Sequence, residues 1–150
     1  PSGQWNHQIY VLEVATGRIF QLTSGRGSSE NPHWSPDGRH IAFSDGQNVH
    51  VIAGDGSDGR IVATARDIGQ TAVRSVEWSA DGTRLFAMAV NEGQSSIWSI
   101  PLGGGSPALT VEFDDPDRAL VWPFFSHDGE DFYLNIAQFE SDIWVMEIDW

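Results

Sequence analysis

The chain alternates short apolar runs with turn residues, and this spacing predicts consecutive β-strands. Between residues 31 and 43, an extended run ends at Trp34, the turn Pro36-Asp37-Gly38 follows, and a second extended run begins two residues later. Proline presets φ for the second turn position, the aspartate side chain bonds to nearby backbone, and glycine accepts a positive φ without a Cβ clash. The stretch therefore predicts a β-hairpin.

The same unit occurs three times along the chain. Its turn aspartates are Asp37, Asp81 and Asp128, so that the copies are 44 and 47 residues apart. A period of about 40 to 50 residues is typical of repeat architectures, and four short strands in each period are typical of a β-propeller blade. Helical periodicity is nearly absent. The pattern therefore predicts an all-β fold built from repeated blades.

The repeat pattern divides residues 1–150 into a front hairpin and three blades of a single propeller segment. The hairpin covers about residues 8–23, the first blade about 31–65, the second about 75–113, and an incomplete third blade about 120–150. Within them the alternating and β-branched stretches predict strands at residues 8–14, 18–23, 31–35, 40–44, 48–53, 60–65, 75–79, 84–90, 96–102, 108–113, 120–126, 131–137 and 142–149.

The third strand of each repeat has apolar residues at its first and fourth places. A strand that packs between two neighbouring blades needs apolar side chains on both faces, which explains the weak alternation of these stretches. The pattern therefore predicts that both faces of this strand are buried. The pairs concerned are Ile9 and Leu12, Val49 and Ile52, Ile97 and Ile100, and Ile143 and Met146.

A tryptophan recurs at the end of the first strand of the repeat. It is Trp34 in the first blade and Trp78 in the second, and Phe125 takes the same place in the third. Aromatic residues at matching places predict a shared position in the core. If both rings lie there, replacing either tryptophan by alanine is expected to destabilise the protein by about 3–5 kcal/mol.

These repeats resemble the WD40-like repeats of TolB-like β-propellers. Ala80 and His127 depart from that pattern by replacing the turn proline, as Phe125 does by replacing the tryptophan. The resemblance implies a bacterial propeller, with a periplasmic or other extracytoplasmic location favoured; it does not specify a function, because such propellers serve unrelated roles. The residues that carry it are Ile9, Tyr10, Val11, Leu22, Thr23, Pro32, Trp34, Ser35, Pro36, Asp37, Gly38, Ile41, Ala42 and Phe43.

The predicted strands form an incomplete ring. They amount to about three and a quarter four-stranded antiparallel blades, whereas closed propellers have roughly four to eight. We therefore expect a partial β-propeller that belongs to a ring of about six or seven blades. Exposed blade edges seek further strands, so the expected partners include the remainder of a longer propeller or another copy of the chain.

The charge and composition exclude several classes of partner and site. The formal net charge is −13, from 21 acidic and 8 basic residues. Binding of nucleic acid is not expected, because a phosphate backbone requires clustered lysine and arginine. Membrane insertion is not expected either, since the sequence has no apolar run of about 18 residues. The absence of cysteine excludes disulfides, thiolate metal sites and a cysteine nucleophile.

No catalytic or metal-binding motif is found in the sequence. The nucleophile elbow G-x-S-x-G is missing. The acidic loop at residues 54–59 fails the EF-hand pattern, since glycine and arginine stand where that pattern needs an oxygen ligand and a glycine. The five histidines lack zincin spacing. We therefore expect no catalytic residue, no metal site and no cofactor, and we interpret the turn aspartates as structural.

The candidate binding residues follow from propeller geometry. The first strand of each blade lines the central channel, and the loop before it opens on the face where propellers usually bind. A set of mixed charge that includes an aromatic residue suits a protein or peptide partner. The residues predicted to form this site are Asn31, His33, Arg74, Glu77, Arg118 and Trp122.

The function predicted from these features is a non-catalytic scaffold for protein or peptide recognition. Two alternatives remain open. The segment could be the gating propeller of a prolyl-oligopeptidase-type serine peptidase, in which case an α/β-hydrolase domain would follow it. It could also be the sensor propeller of a bacterial kinase or transcriptional regulator, in which case a further domain would precede it. Flanking sequence would discriminate among the three.

Overall fold

The computed structural model describes residues 6–25, 27–113, 115 and 118–138; in the last range it describes the side chains of residues 124–136. In these ranges twelve β-strands form two four-stranded and two two-stranded antiparallel sheets, and one short 3₁₀ turn lies between two of the strands. No helix in these ranges is long and apolar enough to cross a membrane. The fold is all-β, as predicted, and its sheets are arranged as a partial propeller.

Each four-stranded sheet is one blade whose strands pair in chain order. The first two strands form the front hairpin, the next four the first blade, the next four the second blade, and the last two the described part of the third blade. The strands are β1 (Tyr10–Leu12), β2 (Ile19–Gln21), β3 (Glu30–Trp34), β4 (His40–Ser44), β5 (Asn48–Ala53), β6 (Arg60–Thr64), β7 (Ala72–Trp78), β8 (Arg84–Asn91), β9 (Gln94–Pro101), β10 (Ala108–Phe113), β11 (Arg118–His127) and β12 (Phe132–Gln138).

The predicted strand positions are confirmed within the described residues, with shifts at several ends. The largest shift is at β7, which begins at Ala72 instead of residue 75, directly after a 3₁₀ turn at Arg66–Ile68. The hairpin between β8 and β9 is also tighter than predicted. Its loop consists of Glu92 and Gly93, both with positive φ (51° and 89°), as a two-residue type I′ loop requires. The predicted strand at residues 142–149 lies outside the described residues.

The repeated turn is held by its aspartate. In the first blade Asp37 Oδ1 accepts hydrogen bonds from the Ser35 hydroxyl (2.6 Å) and the Arg39 backbone N–H (3.1 Å). In the second blade Asp81 accepts the equivalent bonds from Ser79 and Thr83. These bonds, that of Ser79 first, lower the pKa of Asp81 to about 2. The interpretation of these aspartates as turn formers is confirmed.

The third strand of the second blade is buried on both faces, as its spacing predicts. Ile97 packs with Met88 and Phe125 in the core that joins the second and third blades. Ile100, three residues later, packs with Val51 and other residues in the core that joins the first and second blades. Each isoleucine is 1% exposed. The strand therefore contributes to two interfaces between blades at once. In the front hairpin the prediction is wrong for Leu12, which is 56% exposed.

The two repeat tryptophans differ in burial. Trp78 is 6% exposed, and its Nε1–H donates to the His33 carbonyl at 2.9 Å. Trp34 is 49% exposed, so that its predicted place in the core is wrong. In the second blade the equivalent ring, that of Trp78, packs against the preceding blade. Before β3 the described residues form a two-stranded hairpin, which covers Ile41 and Phe43 but provides no inner strand to cover Trp34.

Gly54 gives a test of the position of Trp34. A Cβ on Gly54 would lie 2.8 and 2.9 Å from the Cζ3 and Cη2 atoms of the Trp34 ring. We expect Gly54→Ala to displace the ring and to lower the free energy of unfolding by about 1 kcal/mol. Gly103 occupies the same turn of the second blade, and a Cβ there would meet nothing within 4 Å.

Urea unfolding of both alanine variants measures the effect. The Gly103→Ala variant should stay within about 0.5 kcal/mol of the unmodified protein. Equal stability of the two variants would show that the Trp34 ring does not lie across Gly54.

Candidate functional site

The inner strands of the blades lie side by side. Strand β3 contacts β7, and β7 contacts β11, as expected for strands that line a propeller channel. The term channel face is used here for the polar side chains of Asn31 and His33 on β3 and of Arg74 and Glu77 on β7. These four residues belong to the predicted site, and the structure places them on two adjacent inner strands.

Bulges interrupt the regular strand pairing of both inner strands. The pairing of β3 with β4 shifts between Glu30 and His33, and that of β7 with β8 shifts between Val73 and Ser75. Bulges of this kind re-aim side chains and recur next to functional sites. In β7 the alternation of burial breaks just after the bulge, where the consecutive residues Ser75 and Val76 are both buried.

An ion pair joins the two blades across the channel face. The distance between His33 Nδ1 and Glu77 Oε2 is 2.9 Å, and both side chains are partly exposed. Burial of the Glu77 carboxylate, the largest single influence, raises its pKa. The hydrogen bond and charge of His33 and the Trp78 backbone N–H together outweigh burial, so that the pKa of Glu77 lies below its ordinary value. Glu77 is therefore a carboxylate at neutral pH.

Two further hydrogen bonds fix β3 against β7. The side-chain amide of Asn31 donates to the Arg74 carbonyl at 2.8 Å, and the Trp78 indole donates to the His33 carbonyl at 2.9 Å. Asn31 has a φ of 53°, a left-handed backbone conformation that is uncommon for a residue other than glycine. The Arg74 side chain is exposed, and no described residue pairs with its guanidinium. The channel face is thus a polar surface with cross-strand hydrogen bonds and one cation, that of Arg74, which has no partner among the described residues.

The other two predicted site residues are on the third blade. Arg118 and Trp122 lie in β11, the inner strand next to β7. Their side chains are outside the described set, so that their part in the site stays a prediction.

His127 is a contact between blades that the sequence analysis missed. Its Nε2–H donates to the Trp78 carbonyl at 2.7 Å, and its ring lies 4.8 Å from that of Phe86. A carbonyl only accepts, so this bond fixes the proton on Nε2. The sequence does show a histidine at the position of the turn proline. The repeat pattern identifies it as a departure but does not indicate a contact between blades.

The channel face offers binding groups of several kinds: a free guanidinium, a paired imidazole and carboxylate, and a side-chain amide. Within the described residues, no three histidine, aspartate or glutamate side chains are placed to hold a metal ion. The groups of the channel face can form hydrogen bonds and charge pairs.

Sequence comparison finds relatives that match this chain over part of their own length. No family model matches the chain. An uncharacterized protein of Agrobacterium fabrum is 29% identical over 156 residues, which is 99% of this chain and 50% of that protein. The Tol-Pal system protein TolB of Francisella tularensis is 36% identical over 50 residues, which is 29% of this chain and 12% of that protein. The chain thus spans half or less of the length of these relatives.

A third relative is the uncharacterized peptidase YuxL of Bacillus subtilis. It is 31% identical over 97 residues, which is 61% of this chain and 14% of that protein.

Solved structures with the same fold include two TolB proteins. A TolB-type protein from Agrobacterium tumefaciens matches with a TM-score of 0.66 at 20% identity. The match covers 89% of this chain and 51% of that protein's chain. TolB from Acinetobacter baumannii matches with a TM-score of 0.60 at 14% identity, over 88% of this chain and 35% of that TolB chain. A chain of a nidogen/laminin complex matches with a TM-score of 0.60 at 18% identity, over 70% of this chain and 40% of that chain.

The sequence, the fold and the comparisons agree. The repeated Asp-Gly turns form the hairpins of four-stranded antiparallel blades, and the relatives by sequence and by structure include TolB proteins. The chain has the β-propeller fold of TolB proteins, and its repeats are similar in sequence to those of TolB relatives.

Proposed function

We propose that this propeller scaffold recognises a protein or peptide on its channel face. The observation that carries the proposal is the set of hydrogen bonds that join β3 to β7 while the Arg74 guanidinium pairs with no described residue. A surface held in place before binding loses little conformational entropy on binding. A free guanidinium beside a fixed amide and an ion pair suits a carboxylate and the backbone amides of an extended peptide.

The comparisons support protein recognition as the role. One relative is named as a protein of the Tol-Pal system, and one structure with this fold is a nidogen/laminin complex. We further propose that residues 1–150 form one propeller segment within a ring of about six or seven blades. The share of 51% that the chain covers in a TolB-type structure supports this proposal. The proposed location is extracytoplasmic, as the family resemblance implies.

Peptide selection against the full-length protein tests the role of the channel face. Peptides selected from a random library are expected to lose at least about tenfold in affinity for Arg74→Ala, because a charge-assisted hydrogen bond contributes about 1.5–3 kcal/mol. Glu77→Gln should weaken the same peptides, since it loosens the His33 contact. Arg66→Ala, an exposed arginine in the connector after β6, is the matched control.

Two results would overturn the assignment of the channel face. One is the recovery of no peptide from the library. The other is a set of peptides whose affinities are the same for Arg74→Ala, Glu77→Gln and the unmodified protein.

A second candidate function is the gating of a serine peptidase. The similarity to YuxL, which covers 61% of this chain, favours it. In that case the propeller would limit access to a nucleophile on an attached domain. A fluorophosphonate probe, which labels activated serines, would then react with the full-length protein. Absence of labelling would exclude this candidate.

A further inference from the structure

A cleft of about 350 Å³ opens between the first and second blades, away from the channel face. It lies beside the repeated turns and is lined on its apolar side by Val51, Trp78 and Leu102. Ligand sites of proteins are typically concave, of about 300–1,000 Å³, and mostly apolar with a few placed polar groups. The cleft has a volume in this range and an apolar side.

Arg60 and His40 project from one wall of the cleft. Arg60 is the cross-strand partner of Val51, and Val51 is the partner of Ala42, so that the three side chains form one row on the face toward the second blade. His40 lies two residues before Ala42 on the same face of β4. Both donors are therefore placed beside the apolar floor by the pairing of the sheet.

The carboxylates at the rim do not pair with Arg60. Asp37 and Asp81 each direct Oδ1 to the hydroxyl and backbone N–H of their own turn, at 2.6–3.1 Å. Neither forms an ion pair with Arg60, and no described residue pairs with its guanidinium. Within the described part of the chain, the cleft thus holds an unpaired cation beside apolar surface.

The two interfaces between the three blades differ at two repeat positions. At the next interface the ring of His127 lies 4.8 Å from that of Phe86. The same repeat positions at the first interface are Ala80 and Ala42. Arg60 also has no counterpart there, since the equivalent partner on β10 is Ala108, opposite Ser99. The open volume and the cation therefore occur together at one of the two described interfaces between blades.

We propose that this cleft binds a carboxylate carried on an apolar body. The Arg60 guanidinium pairs with the carboxylate, His40 supplies a second donor, and the apolar body packs on Trp78, Val51 and Leu102. A carboxylate of this kind has two sources: a free small molecule, or an acidic residue beside apolar residues in a polypeptide. This site is separate from the channel face and does not depend on the function proposed for it.

Titration of the full-length protein, followed by the indole N–H resonance of Trp78, tests the proposal. N-acetyl-leucine represents the free carboxylate, and a capped Leu-Glu-Leu peptide represents the acidic side chain. At least one is expected to shift the resonance saturably. Arg60→Ala should weaken that binding at least about tenfold. Arg66→Ala should leave it unchanged, and Ala80→His, which copies the next interface, should abolish it.

The uncharged N-acetyl-leucine amide serves as the ligand control. A response to this amide equal to that of N-acetyl-leucine would overturn the proposal, as would equal binding by Arg60→Ala or no response to either carboxylate probe. Which of the two probes binds more tightly distinguishes the free small molecule from the polypeptide source.

Discussion

Trp78→Ala is expected to lower the free energy of unfolding by about 3–5 kcal/mol. The ring is 6% exposed within the core between the first and second blades, alongside Leu85 and Ile100. Its truncation removes that packing and also leaves the His33 carbonyl without its indole donor. Urea unfolding followed by circular dichroism measures the loss.

Trp34→Ala is the matched control for this prediction. It removes the same side chain from the same repeat position, but the ring is 49% exposed. We expect a loss of no more than about 1–2 kcal/mol, because roughly half of the ring surface is already in water. Losses of equal size for the two variants would contradict the difference in burial between the two rings.

Ile97→Ala is expected to cost about 2–5 kcal/mol, since a fully buried isoleucine leaves a cavity when it is truncated. The side chain is 1% exposed and packs with Met88 and Phe125, so that the variant probes the interface between the second and third blades. Ile61 on β6, which is 54% exposed, provides the control. Ile61→Ala should change the stability by less than about 0.5 kcal/mol.

A small effect of Ile97→Ala would mean that the second and third blades do not share a packed core. Hydrogen exchange in the same variant localises the effect. Faster exchange is expected in β9 and in the neighbouring strands β8 and β12, which carry the contacts of Ile97.

Much of the fold follows from local sequence features. Apolar alternation and the Asp-Gly turns predict the strands, because both act over a few residues. The ladder between β8 and β9 extends further than predicted because Glu92 adopts a left-handed conformation, which is uncommon for a residue other than glycine. The burial of Trp34 could not be predicted from its repeat position, since it depends on what the preceding blade provides.

The candidate sites divide in the same way. Asn31, His33, Arg74 and Glu77 were predicted from the rule that first strands line the channel, and the structure brings them together. The cleft beside Arg60 could not be predicted in this way. It depends on side chains from separate blades and on the volume left between them.

The residues that meet at the two interfaces also bear on how the repeats are ordered. Trp78 packs with Ala42 at one interface, whereas Phe125 packs beside Phe86 at the other. A large ring thus faces a small partner in the first case, and two rings of medium size share the space in the second. Blades that look interchangeable in sequence are therefore not: a shuffled or duplicated blade would meet a neighbour of the wrong volume.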